Sequence, residues 1–405
     1  MENNRAYKPR GVLKGYSTFV IHHTPPVVIM RIMKQVCYLL LCALAVGVAD
    51  PGKRTIRVMS YNTGLTSRIP YYWKRSENIG KTVSKTKPDF ICLQEVWHYR
   101  DLYKIVQKNS DRYPYSFSAV HKDTKTLLNN TGLHWPTCAR FDVMKMFFGM
   151  WWHGCMSMKE DIARLDCVTE KAGFMELPQQ CITCLTMVKL SPRSVFSECL
   201  GAVENQMNVP GLLILSKRKL RHPKMVYFRP NVKQLLPRGY LMTEVQGLGT
   251  VACTHTTADL GKIYYEPNLK SRFHSWKEEN LQDARSLIKD LSQFPTSVIM
   301  GDLNCSPKIP GKHIQGDYED TLELFKTANY STPYVDMCGR CTFCSENNLV
   351  PYKTDWILDH ILVRGSRTQH AMRIMDDKMT DQNVHPSDHY GIQVVFNISD
   401  EKPRV

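Results

Sequence analysis

Short runs of apolar and β-branched residues that break off at a polar side chain recur along this chain. Ile56–Tyr61 reads IRVMSY and stops at Asn62, and Asp89–Leu93 reads DFICL and leads to Glu95. Gly211–Ser216 (GLLILS), Thr250–Thr254 (TVACT), Ser297–Met300 (SVIM), Ile357–Val363 (ILDHILV) and Ile392–Phe396 (IQVVF) follow the same grammar. Such runs predict strands. Two stretches carry helical spacing instead, Arg75–Lys85 and Lys277–Leu291, the second placing Leu281, Ala284, Ile288 and Leu291 on one face. Strands alternating with a few helices predict an α/β sandwich. No fixed-period repeat and no linker rich in Pro, Gly or Ser interrupts the pattern, so residues from about 50 to 400 read as one domain.

Two segments depart from it. Val36–Val48 is uncharged and apolar, preceded by Arg31 and Lys34 and followed by Ala49. This is the layout of a secretory signal, too short for a membrane span of about 20 residues. Residues 1–49 are therefore expected to be a leader holding a signal peptide at about 30–49, cleaved after Ala49, with Met30 or Met33 as alternative starts. An uncleaved signal anchor is the competing reading. The second departure is an insertion at about 134–200, where six cysteines bracket FDVMKMFFGMWWHG at Phe141–Gly154. Its large apolar residues form either the core of a disulfide-stapled subdomain or, through Phe147, Phe148, Trp151 and Trp152, a contact with a lipid interface.

Composition narrows the class. With 405 residues, 43% hydrophobic, the chain is neither disordered nor fibrous. Fourteen cysteines, twelve beyond the leader, predict a disulfide framework in an oxidising compartment. The spacings Cys181-x-x-Cys184 and Cys341-x-x-Cys344 offer a zinc site as the alternative. Sequons at Asn129, Asn329 and Asn397 fit export. The net charge of +15 favours phosphate-bearing partners, whether nucleic acid, anionic membrane or a phosphorylated substrate.

The polar residues at the ends of the apolar runs carry the chemistry. They are Asn62, Glu95 in LQE, His255 in CTHT, Asp302 and Asn304 in GDLN, Asp359 in LDHIL, and Asp388 and His389 in SDH. Glu95 and Asn62 offer oxygen donors to a hard cation, Mg²⁺ before Mn²⁺ or Ca²⁺. His389 has a side chain that titrates near neutrality and can act as a general base, with Asp359 to orient it. Singly, each has an ordinary reading as a turn, cap or hydrogen-bonding residue; their shared position in or beside apolar runs joins them.

In that order the motifs resemble the endonuclease/exonuclease/phosphatase superfamily, over essentially all of the chain beyond the leader. The resemblance implies a four-layered α/β sandwich, two packed sheets flanked by helices. By it, Glu95 and Asn62 bind the metal, Asp302 and Asn304 contact the reacting phosphate and nucleophile, and His255 assists the phosphate or leaving group. Asp388 and His389 close the motif, and Asp359 pairs with the histidine in preference to Asp355. LQEVW at Leu93, YPYSFS at Tyr113, GLLILSKRKL at Gly211, RGYLMTEV at Arg238 and ACTHTTAD at Ala252 are similar to neutral and bacterial sphingomyelinases. The chain departs from them in the cysteine-rich insertion and in THTTA at Thr254–Ala258. The implied function is a secreted phosphodiesterase acting on sphingomyelin or another phospholipid at a membrane surface, with no obligate protein partner. The alternatives are a secreted deoxyribonuclease I-like nuclease, in which Cys305 pairs with Cys338, Cys341 or Cys344, and an inactive cysteine-rich binding protein.

Overall fold

The computed structural model describes residues 55–129, 136–189, 192–201, 206–260, 273–379 and 383–398. The leader lies outside the described residues. The first sheet holds six strands in the order β10-β11-β1-β2-β4-β3: β1 (Thr55–Leu65), β2 (Phe90–Val96), β3 (Tyr115–Ser118), β4 (Leu213–Ser216), β10 (Thr368–Ile374) and β11 (Gly391–Asn397). The second holds five in chain order: β5 (Leu220–Tyr227), β6 (Gly239–Val245), β7 (Gly249–His255), β8 (Ser297–Asp302) and β9 (Asp359–Arg364). Each sheet is antiparallel except for one parallel pair, β1 with β2 and β7 with β8.

Period-two alternation sorts each strand's side chains between two cores. Ile56 and Val58 of β1, Val251 and Cys253 of β7, Val298 and Met300 of β8, and Ile361 and Val363 of β9 meet between the sheets. Met59, Tyr61, Ile91 and Leu93 face outward and are covered by α1 (Tyr72–Thr86) and α2 (Tyr99–Asn109). On the far side, Ala252, Ile299 and Leu362 pack under α8 (Trp276–Leu291) and α9 (Glu319–Thr327). The result is the expected four layers, helices, sheet, sheet, helices. The Cys92–Cys253 disulfide crosses the central core and joins the two sheets.

Three details differ from the sequence reading. Strands β3, β5, β6 and β10 were not anticipated; β5 and β10 are edge strands whose side chains are mostly exposed or only partly buried, with no apolar run to announce them, whereas β3 is four residues long and β6 is a buried strand overlooked in the apolar pattern. Helix α8 spans the expected residues, but its buried face includes Glu279, Asn280 and Asp283, while Leu281 and Ile288 are only partly buried. Those polar residues are satisfied: Arg229 pairs with both Glu279 and Asp283, and Asn280 Nδ2 donates to the Thr257 carbonyl at 2.7 Å. The zinc alternative is overturned as well. Cys181 is bonded to Cys138, Cys184 to Cys199, and Cys341 to Cys344, leaving no thiolate in either motif. Cys305 and Cys338 are free thiols, so the pairing expected for Cys305 under the nuclease reading does not form.

The insertion follows β3 and a short helix, α3 (Thr124–Leu128). It comprises α4 (Arg140–Trp152), α5 (Asp161–Glu170), α6 (Gln179–Met187) and α7 (Pro192–Val195), held by Cys138–Cys181, Cys155–Cys167 and Cys184–Cys199. The disulfide-stapled core exists, but α4 contributes only Val143 and Met146 as buried side chains, and the rest comes from residues such as Phe174, Ile182 and Leu185. Among the described residues no helix is long and apolar enough to cross a membrane. A last short helix, α10 (Pro333–Met337), precedes the loop that leads to β9.

Candidate active site

The face of each strand that fills the central core ends in a polar residue of the same phase. Two residues beyond Ser60, which follows Val58 on the inner face of β1, stands Asn62; beyond Cys253 stands His255, and beyond Met300 stands Asp302. On antiparallel β9 the sequence is reversed, and Asp359 precedes Ile361. Strand register then aligns them: His255 is the cross-strand neighbour of Asp302, and Asp302 of Asp359. Asn62 reaches this row from the other sheet, its Nδ2 donating to Asp302 Oδ2 at 2.9 Å.

Two residues reach the cluster through backbone conformations that side chains rarely adopt. In a regular strand Glu95 would share the outward face of Ile91 and Leu93. Its φ of 57° breaks the alternation, and its Oε1 lies 3.3 Å from Asn62 Nδ2. Asn304 has φ 47°, with its N–H on Asp302 Oδ1 at 2.9 Å and its side-chain amide on the Thr256 carbonyl at 3.0 Å. Such conformations cost about 1–3 kcal/mol each and persist where the surroundings hold them.

Asp302 and Asp359 stand directly opposite each other, a like-charged pair that a sheet does not favour. His389 resolves it. Its Nδ1 is 2.8 Å from Asp359 Oδ2 and its Nε2 3.7 Å from Asp302 Oδ2. Burial opposes charge on the imidazole, but the two aspartates outweigh it and hold its pKa well above the ordinary histidine value. Burial also pushes Asp302 up to about 7, with His389 pulling down and Asp359 pushing up. His255 behaves in the opposite way: burial, Arg238 and His389 all hold its pKa well below the usual value, so it is neutral. Arg238 lies 2.7 Å from His255 Nδ1, and because a guanidinium only donates, that nitrogen accepts. The proton is therefore on Nε2, which lies 3.5 Å from Asp302 Oδ2.

Seven of the eight predicted residues thus converge on one cluster, buried except for the partly exposed Glu95. Asp388 sits at its edge, its Oδ1 3.1 Å from Ser387 Oγ, whose single hydroxyl hydrogen has the Asn62 carbonyl as its nearer acceptor at 2.8 Å. Gly64 passes so close that a Cβ there would lie 2.5 Å from Asp388 Oδ1. Asp355 takes no part; its carboxylate accepts from the Ser345 N–H at 2.7 Å. Two contributors were not foreseen. Arg238 immediately precedes β6, and the register of Gly239 against His255 delivers it; an arginine just ahead of the run GYLM was the available signal. The other is the loop closed by Cys341–Cys344. Its Thr342 Oγ1 accepts from the Asp359 N–H at 3.1 Å, and its Phe343 ring lies 4.9 Å from that of His389.

The donor set fits a hard divalent cation. Burial and Asp388 hold Glu95 above the usual carboxylate range, against the pull of Arg238, His389 and Asn62. Asp359 Oδ1 is buried without a hydrogen-bond partner. Excess carboxylate of this kind is relieved by positive charge, and oxygen donors suit Mg²⁺. Asp302, Asp359 and His389 also bring one ligand atom each within 4.8 Å of one another. There, however, Asp359 and His389 already satisfy each other, so Glu95 is the better holder; Asn62 turns its Nδ2 to Glu95 and its Oδ1 to the Gly64 N–H at 3.0 Å, and would join Glu95 on the ion only with its amide reversed.

Comparison of the sequence with curated proteins returns no match. Among solved structures, the chain is similar to an endonuclease/exonuclease/phosphatase from Beutenbergia cavernae DSM 12333, at 14% identity and TM-score 0.49, covering 86% of this chain and 72% of that one. It is also similar to truncated Caenorhabditis elegans TDP2, at 14% identity and TM-score 0.45, covering 85% and 97%. Sphingomyelinase C from Streptomyces griseocarneus matches at 14% identity and TM-score 0.46, covering 85% and 100%. The Endonuclease/Exonuclease/phosphatase family model matches residues 59–389, from the strand that carries Asn62 to the histidine paired with Asp359. With that match spanning most of its length and every layer of its sandwich, the chain belongs to the Endonuclease/Exonuclease/phosphatase family, hydrolases that act on phosphodiester bonds.

Proposed function

We propose that the protein is a secreted, Mg²⁺-dependent phosphodiesterase that hydrolyses sphingomyelin to ceramide and phosphocholine. The observation that carries the chemistry is the His389–Asp359 pair, with Nε2 of the imidazole directed at the Asp302 side of the cluster. Asp359 on Nδ1 holds the ring and its tautomer, leaving Nε2 to take a proton from the attacking water. Asp302 and Asn304 position that water and the phosphate. Neutral His255 offers its Nε2–H to a non-bridging oxygen or to the departing ceramide alkoxide, and Arg238 keeps that proton on the correct nitrogen. Glu95, joined by Asn62, would hold the cation, whose chemistry would be to neutralise negative charge on the phosphoryl oxygens.

The choice of sphingomyelin rests on the local resemblance at LQEVW, GLLILSKRKL and RGYLMTEV, and on the aromatic insertion, which suits a lipid-borne substrate better than a polyanion. The nuclease reading is favoured by the net charge of +15, since basic surfaces bind phosphate backbones. Phosphocholine release from sphingomyelin liposomes in Mg²⁺ and then in EDTA, with plasmid nicking in parallel, separates them. Metal-dependent release with intact plasmid is expected. Nicked plasmid without phosphocholine would keep the active site and overturn the substrate.

A further inference from the structure

Helix α4 carries two apolar stripes on opposite faces. Val143 and Met146 point into the insertion's own core. Phe141, Met144, Phe148 and Trp151, spaced three and four residues apart and joined by Trp152, form the other, and these five side chains are 61–77% exposed. A surface helix ordinarily has one apolar stripe and one polar face. The rings support one another, with Phe148 5.8 Å from Trp151 and 6.1 Å from Trp152 between centroids. Nor can the stripe fold away: Cys138 before the helix and Cys155 after it are both in disulfides.

We propose that this stripe docks the enzyme on a zwitterionic phospholipid bilayer, an inference that rests on the sphingomyelinase reading and gives it a surface. Charge selects that occupant. Between Cys138 and Leu200 seven Lys and Arg balance seven Asp and Glu, so the whole excess of +15 belongs to the rest of the chain. A neutral aromatic face matches neutral headgroups, whereas nucleic acid or an anionic membrane would call for basic residues around it. Indole rings, apolar with one N–H, are suited to the boundary between headgroup and acyl chain. The insertion is also rooted beside the catalytic cluster. Thr66 Oγ1 donates to the Met187 carbonyl, the Lys189 N–H reaches Ser67 Oγ at 2.9 Å, and Trp97, two residues beyond Glu95, is part of the insertion's core.

The test is co-sedimentation with phosphatidylcholine vesicles in EDTA, where no turnover occurs, using the wild type and the variant F148S/W151S/W152S. Wild-type binding should be insensitive to salt, show a blue shift of tryptophan emission, and weaken at least about tenfold in the variant. Met144→Lys, which spares both indoles, should weaken it as well. Both variants should hydrolyse soluble bis(p-nitrophenyl) phosphate like the wild type, which certifies their fold. The proposal is overturned if the wild type does not sediment with these vesicles, if it needs anionic lipid, or if the variants bind equally well. It is also overturned if sedimentation velocity shows the stripe buried in a dimer that the variants lose. Vesicle binding without sphingomyelin hydrolysis would sink the substrate reading alone; hydrolysis without vesicle binding would sink only the docking surface.

Discussion

The rim of the sandwich and helix α4 of the insertion invert the usual rule of burial in opposite directions. At the rim, Asp302, Asp359, His255 and His389 are nearly inaccessible, though charged groups are rarely buried unless paired. On α4, Trp151 and Trp152 are about two-thirds exposed, though aromatic rings usually contribute to a core. Each inversion has its own means of support. The rim is held by strand register and by side chains that satisfy one another. The helix is held by disulfides, which do not require its outer face to pack against anything. A fold tolerates misplaced polarity where hydrogen bonds compensate and misplaced apolarity where covalent bonds do, and in both places the exception marks where the molecule meets something else.

Breaking the rim should have the largest effect. His389→Ala is expected to lower kcat by about 10²–10⁴-fold, because it removes the proton acceptor, and also to lower the melting temperature, because Asp302 and Asp359 then face each other without it, while the protein stays folded at assay temperature. Near-normal turnover would refute its assignment as base. Asp359→Asn should lower the plateau and also move the acid limb of the pH–rate profile. Activity needs His389 deprotonated and so rises with pH through its pKa. Asp359 raises that pKa, so its removal should carry the limb to lower pH. An unmoved limb would mean that another group titrates there. Arg238→Gln should cost about 10–100-fold through the loss of the His255 tautomer, with substrate binding little changed. The covalent side of the comparison is sharpened by C92A/C253A. That pair closes 161 residues, so its loss should cost about 2–4 kcal/mol in chemical denaturation while activity at 25 °C persists. Smallest in scale, Mg²⁺ should raise the melting temperature of the wild type but not of Glu95→Gln.

Much of the rim was legible because its residues obey the simplest period in protein structure. Asn62, His255, Asp302 and Asp359 each continue the core-facing alternation of an apolar run, so the strand pattern and the chemical motif reinforce each other. Glu95 was legible only as part of LQE; its strand phase points it the wrong way, and the left-handed backbone that corrects it leaves no periodic trace. Arg238 and the Thr342–Phe343 loop escaped notice because their roles come from pairing across strands distant in sequence. On α8, Glu279 and Asp283 look like a solvent face until Arg229, some 50 residues earlier in the chain, is brought against them. The cysteines were countable, but which ones paired was not, since connectivity follows from a topology that spacing does not encode.

Gly301 touches no substrate and has no side chain, yet a Cβ there would lie 1.9 Å from the Thr254 carbonyl oxygen on the neighbouring strand. Any replacement must prise β8 from β7 one residue before His255 and Asp302 stand side by side. In a saturation scan scored by activity, position 301 should therefore be as intolerant as the residues that perform the reaction. A map of intolerance for this protein will trace the scaffold that brings the reacting groups together as strongly as the groups themselves.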